Sequence, residues 1–376
     1  MRSLEKNKKH SIKSSTLLLL GFATAFFSRV VDTAGAPATV NFAHLALIPL
    51  ASIYVITTAR TKRLKQVRSA QALLFSLLLF LFSITASALL NKAGLINVVL
   101  SYLLWVEAYI FLCALVSLPF SPEGLARLKI WVLRFSIFHI GLALLQKVLL
   151  EAGVMRATKM GILQDNIQGV FYLSGGGHVI GASVSIIFAI YCLSQAKLSL
   201  PFKVIVPIAA IAQLVVADAK QVLFVAFVAW FLLILTKVGD LKKLLMYGVI
   251  AAVSVGALMW CMDHVDAFRG FNTWVRPEIY GPEGEARLVK LSSIGIIQSY
   301  HENPFHWLFG LGPGHTGDRL GGWMIVKYQS LLAPLGVTAH PASQQAWDAF
   351  YASRLGGKSS MFSPLLVCAG MWGDLG

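Results

Sequence analysis

Residues 69–90 read SAQALLFSLLLFLFSITASALL, twenty-two residues without a charge. A run of this length covers the roughly 30 Å of bilayer hydrocarbon as one helix, for which about 20 apolar residues suffice. The pattern recurs on both sides. Further spans are expected at 14–31, 38–59, 95–118, 129–150, 178–196, 202–217, 221–237 and 243–261, and another apolar run begins near Met361. The runs at 202–217 and 221–237 are short and read as a tilted or partly re-entrant pair. The N-terminal tail, with five basic residues ahead of Ser14, and the small residues Ala34-Gly35-Ala36 imitate a secretory signal. The run from Ser14 to Val31 is long enough to span, and more spans follow, so it reads as an uncleaved first helix.

Composition agrees. Of 376 residues, 57% are hydrophobic and 13% charged, about half the charged share of a soluble domain. The expected fold is therefore all-α: a polytopic membrane bundle of about 10 helices forming one domain over 1–376. Cys113, Cys192, Cys261 and Cys368 are far apart and mostly lie in apolar runs, as core residues do.

The net charge of +15 has a simple distribution. With the N-terminus inside, the tail, 60–68, 127–134, Lys197, Lys203 and 237–243 form the inner segments, which hold 18 of the 32 Lys and Arg. This is the positive-inside asymmetry. Basic stripes interleaved with aromatics are missing, so nucleic acid is not expected as a partner. Residues 261–360 form one long loop with eight basic and eight acidic residues, neutral and outside. Intramembrane Glu107 needs a partner, for which Arg29, Arg134 and His139 are the options.

The loop contains the most distinctive polar stretch, Glu283–Gly314. A helix is expected from about Gly284 to Tyr300. It carries Arg287 and Lys290 three residues apart on one face. Two readings stand: a snorkelling or ion-paired arginine, with Glu283 or Glu285 as partner, and an anion site for a diphosphate, which the planar guanidinium binds bidentately. His301-Glu302-Asn303-Pro304 ends the helix, because proline excludes the helical state from the residue before it. Gly310-Leu311-Gly312-Pro313-Gly314 reads as a tight turn with exposed amides. Gly312–Gly317 matches GxGxxG formally, but no strand precedes it and no βαβ unit surrounds it. Gly357-Lys358-Ser359 fails as a phosphate loop, since Ala352 stands where a glycine is required. Asp218-Ala219-Lys220 falls at an outer turn, either as a self-neutralising pair or as a functional charge. Glu151–His178 is a second outer loop with Arg156, Lys159, Asp165, Asn166 and Ser174-Gly-Gly-Gly-His178, either a glycan path or a connector.

These features resemble the bacterial O-antigen ligase and polymerase superfamily. The likeness rests on the Arg-bearing helix running into Asn303-Pro304 and Gly310–Gly314, on the Gly-rich loop entering a span near His178, and on Lys220 where the family often has Ser-Arg. It covers residues 60–376 in topology, and only the first region is specific in sequence. The resemblance implies a glycosyltransferase in the bacterial cytoplasmic membrane that transfers or polymerises undecaprenyl-diphosphate-linked glycan onto a glycan or lipid acceptor, without metal or cofactor. It implies Arg287 and then Lys220 as diphosphate ligands, His315 or His340 as base, and Lys290, Arg319, Gly312, Gly314, Arg156 and His178 along the substrate. Loss of Arg287 is expected to cost about 100-fold or more. Ligases carry a His-Asn pair before their last spans; here Gly357–Pro364 has no histidine, which leans towards a polymerase. The family also continues through one or two spans beyond the position of Gly376. A transporter or flippase of lipid-linked sugars is the competing class, with a non-catalytic assembly protein third. Inverted repeats would mark a transporter, and none is evident.

Overall fold

The computed structural model describes residues 13–59, 63–155, 163–174, 176–195, 198–236, 239, 241–266, 268, 271–272, 276–353 and 367–376, without the side chains of 243, 279–280, 286–290 and 367–368. The expected sites at Arg156 and Gly357–Pro364 lie outside this description, as do the side chains of Arg287 and Lys290.

The described chain is helical, without a strand. The long helices are α1 Ser14–Thr33, α2 Ala43–Thr58, α3 Leu64–Leu90, α4 Leu95–Ser117, α5 Pro122–Glu151, α6 Gly177–Ser194, α7 Leu200–Val216, α8 Lys220–Leu235 and α9 Leu241–His264. Among the described residues, seven helices are long and apolar enough to cross a membrane, and Leu200–Val216 and Lys220–Leu235 are shorter apolar helices. The apolar runs in the sequence locate these helices closely, because hydrocarbon length sets both. Leu89, Phe82, Ile187 and Val253 are 78%, 72%, 67% and 65% exposed. Apolar side chains this open, helix after helix, suit a membrane rather than water.

The short helices follow: α10 Pro277–Tyr280, α11 Glu285–Ser299, α12 Pro304–Phe309, α13 Ile325–Lys327, α14 Gln329–Leu332, α15 Pro341–Ala352 and α16 Val367–Leu375. Helix α11 ends at Ser299, four residues ahead of Asn303, the residue that Pro304 keeps out of the helical state. Asn303 then caps α12, its Oδ1 accepting from the N–H groups of Phe305 and His306 at 2.9 and 3.2 Å. Side-chain capping of this kind satisfies amides that a helix start leaves open.

The chain falls into two compact units, Met1–Phe82 with Tyr102–Leu133, and Ser83–Ser101 with Arg134–Gly376. In the first, Leu18, Val55, Ala114 and Leu118 form the core. Glu107, in the middle of α4, pairs with His44, Oε1 to Nδ1 at 2.7 Å. Arg29 is instead beside Asp32 at 3.8 Å. The partner is thus none of the three candidates read from the sequence but His44, on α2. In the second unit, Ala182, Leu214, Val215, Ala219 and Val222 pack around Phe271, which joins α6, α7 and α8.

Candidate functional site

On α5, His139, Ala143, Gln146 and Leu150 recur at helical spacing and are all buried. This face holds the segment 163–174, with 3-10 turns at Gln164–Asn166 and Gly169–Phe171, against the bundle. Gln146 Oε1 accepts from the N–H groups of Gln168 and Gly169 at 2.9 and 2.7 Å, and its amide donates to Gly169 O at 3.0 Å. The Val170 N–H donates to His139 Nδ1 at 3.2 Å, leaving the ring to donate from Nε2 to Gly181 O at 3.0 Å. Gln168 ties the segment to itself, donating to Asp165 O at 2.7 Å and accepting from Ser174 N–H at 3.2 Å. Irregular backbone survives burial only when its polar groups are satisfied in this way.

The segment presents Asp165. Its Oδ1 lies 3.7 Å from His178 Nε2, in the first turn of α6. At the α7–α8 turn, Asp218 has a φ of 50°, a left-handed conformation rare outside glycine and asparagine. The turn lets Lys220, the first residue of α8, fold back so that its Nζ donates to Asp218 Oδ2 at 2.5 Å. Lys220 is 9% exposed. Asp165 lies within the electrostatic reach of both Lys220 and Asp218. Burial, reinforced by the Asp218 charge and opposed by Lys220, pushes the Asp165 carboxyl up to about 6. Two buried atoms here have no hydrogen-bond partner, Asp165 Oδ2 and His178 Nδ1. A buried polar atom left unpaired costs about 1–3 kcal/mol, so two of them on neighbouring side chains are open to a ligand.

The Gly310–Thr316 turn is different. Gly310, Gly312 and Gly314 take φ values of 63°, 106° and 71°, as a glycine turn should. The amides are not exposed, however, and the turn is buried throughout. Gly312 N–H donates to Asp374 O at 3.2 Å, and Gly314 N–H to Asp374 Oδ2 at 2.8 Å. Thr316 gives its N–H and its hydroxyl to Asp374 Oδ1 at 3.0 and 2.7 Å. Asn97 binds the other side, donating to Pro313 O and Thr338 O at 2.9 Å each and accepting the Thr338 N–H at 2.9 Å. The expectation of free amides at Gly312 and Gly314 is corrected accordingly: their donors are spent inside the protein.

The histidines expected to act as bases are spent as well. His315 donates from Nδ1 to Leu311 O and accepts at Nε2 from the Thr338 hydroxyl, both at 2.8 Å. His340 caps α15, accepting the Ala342 N–H at Nδ1 at 3.1 Å, so a neutral ring holds its proton at Nε2. Burial lowers both rings below the usual histidine range. The two rings stack at 5.6 Å. Each neutral ring has one lone pair, and in both it is occupied. Arg319 is exposed, next to buried Asp318.

The structure therefore brings Lys220 and His178 together around Asp165, and leaves His315 and His340 in a separate network. Asp318, Asp374, Asn97 and Thr338 carried no sequence signal beyond being polar in an apolar chain. No family model, curated protein or solved structure matches this chain.

Proposed function

We propose that this chain is a membrane glycosyltransferase of the O-antigen ligase and polymerase type, acting on polyprenyl-diphosphate-linked glycan at the outer face of the bacterial cytoplasmic membrane. In this reading the N-terminus is cytoplasmic, about 10 spans cross the bilayer, and the loop 261–360 lies outside. The observation that carries the proposal is the buried Lys220 ammonium at the first residue of α8, paired with Asp218 and within electrostatic reach of Asp165, whose Oδ2 is unspent. A helix start adds partial positive charge to the cation. A diphosphate oxygen arriving there takes the place of Asp218 on Nζ.

The step balances as follows. An acceptor hydroxyl oxygen bonds to the anomeric carbon, and the bond from that carbon to the diphosphate oxygen breaks. The lipid diphosphate leaves with the electron pair, stabilised by Lys220 and Arg287. The hydroxyl proton passes to the ionised Asp165 carboxylate, whose raised value suits it to the exchange near neutral pH. His178 Nδ1 receives a second hydroxyl of the substrate. An interaction of the Lys220 kind supplies about 100- to 1000-fold in rate.

The test is to express K220A and R287A in cells lacking the wild-type protein and run the surface glycan on a gel. Loss of long or transferred glycan at normal protein level is expected for both. Normal glycan in K220A removes Lys220 from the chemistry. Accumulated lipid-linked glycan on the inner leaflet would point instead to a flippase.

A further inference from the structure

We infer that Leu320–Leu335 lies on the bilayer as an interfacial element, its outer face among the upper acyl chains and Lys327 against a phospholipid phosphate. Residues 320–337 read LGGWMIVKYQSLLAPLGV, eighteen residues with a single charge. The chain folds here as a π-helical turn at Leu320–Met324, then α13, α14 and a 3-10 turn at Ala333–Leu335. One side packs inward, where Leu320, Met324, Ile325 and Leu332 are buried. Facing water, the opposite side of such an element is polar. Here it is apolar: Val326, Leu331 and Leu335 are 54%, 56% and 58% exposed. An element apolar on both sides needs a second apolar environment.

Hydrogen bonds fix the level at which it sits. Helices α3 and α4 are each long and apolar enough to cross a membrane, so the turn between them, 91–94, falls at a bilayer surface. The segment is fastened to that turn. The Gly94 N–H donates to the Thr338 hydroxyl at 2.9 Å. Asn97, in the first turn of α4, donates to Thr338 O and accepts the Thr338 N–H, each at 2.9 Å. Gly336 passes so close that a Cβ on Gly94 would stand 2.0 Å from the Gly336 carbonyl oxygen. The backbone suits this level. The helical path is interrupted at Tyr328, with φ −113° and ψ 26°, and ends at Gly336, with φ 78°. Backbone broken in this way is not left facing hydrocarbon, where nothing satisfies the freed groups, but the hydrated headgroup zone accepts it.

The polar side chains fit the same place. Lys327 Nζ lies 5.6 Å from the centre of the Trp323 ring and 5.5 Å from that of Tyr328, within reach of a cation–π attraction. Tryptophan, tyrosine and lysine each combine an apolar body with a polar tip, and they gather at membrane–water interfaces for that reason. Among the described residues, no carboxylate pairs with Lys327. The phosphodiester of a phospholipid supplies the anion, at the height where the rings hold the ammonium. Apolar outward residues, one exposed cation and attachment to the α3–α4 turn thus select a lipid surface as the occupant.

The experiment uses the full chain in phospholipid nanodiscs, with a benzophenone amino acid placed at Leu331, at Leu335 or at Gln345, an exposed polar position on α15. After irradiation, the adducts are read by mass spectrometry. Phospholipid adducts at 331 and 335, and none at 345, are the expected result. Adducts at 331 and 335 to a second copy of the chain in place of lipid would overturn the interfacial placement, as would lipid adducts equally frequent at 345. Should a substituted chain fail to fold, the unsubstituted chain decides. Hydroxyl radicals generated in the water should oxidise Leu331 and Leu335 far less in nanodiscs than in the unfolded chain, while Tyr351, 58% exposed, stays reactive in both. Protection at Leu331 no greater than at Tyr351 would overturn the placement. None of these outcomes depends on glycosyl transfer.

Discussion

The Asp165–His178–Lys220 cluster and the Gly310–Thr316 turn belong to the same unit and are both buried, yet they treat polar atoms in opposite ways. In the turn, Asp374, Asn97 and Thr338 absorb the glycine amides, the Pro313 carbonyl and the His315 ring. In the cluster, a carboxylate oxygen and an imidazole nitrogen are left over. The turn is the stretch that looks most chemical in the sequence, and its hydrogen bonds are used for structure. A network that satisfies every member rigidifies, and one that leaves members open has something to offer a ligand.

The largest expected effect breaks the cluster. D165N removes the proton acceptor and should lower glycosyl transfer by about 100-fold or more. A D165N enzyme with normal turnover would move the chemistry back to the histidines. The same substitution sharpens the comparison through stability. Because the folded Asp165 value is raised to about 6, the stability its proton contributes is full below the ordinary carboxylate value and is lost as pH rises from there through 6. D165N should therefore raise the melting temperature at pH 8 by an amount equivalent to about 3 kcal/mol and leave it nearly unchanged below pH 4.

Breaking the turn should cost stability first. N97A strands two carbonyls and one N–H and should destabilise by about 2–3 kcal/mol, read as a shift in detergent thermal melts. G370A forces a methyl against the Asp318 Cβ and Cα and should cost about 1–3 kcal/mol, a cost that D318A, which keeps both atoms, should not relieve. The smallest effect is H340A, which removes a helix cap worth about 1 kcal/mol. Transfer lost in H340A at wild-type melting would place that ring at the chemistry and weaken the contrast drawn between the two regions.

The long apolar helices were legible because a run of apolar residues long enough to cross hydrocarbon, such as 69–90 or 243–261, stands out in the sequence. Helix α11, which ends at Ser299, and the break before Asn303-Pro304 were legible because proline acts locally. The glycines of 310–314 announced a turn, but not which way its amides point, since that depends on Asp374 some sixty residues on. Lys220 stood out as a charge between apolar runs. Its neighbour Asp165 did not, because only the packing of α5 against 163–174 brings it to His178. The His44–Glu107 pair shows the same limit: a long-range partner depends on helix packing, which spacing along one chain does not encode.

The most direct measurement is single-turnover transfer from a polyprenyl-diphosphate-linked oligosaccharide by the purified full chain, comparing wild type with K220Q at matched thermal stability. A fall of about 100-fold or more in K220Q, with K220R recovering part of it, is the expected result. Equal rates for wild type and K220Q would contradict the assignment of Lys220 to the diphosphate.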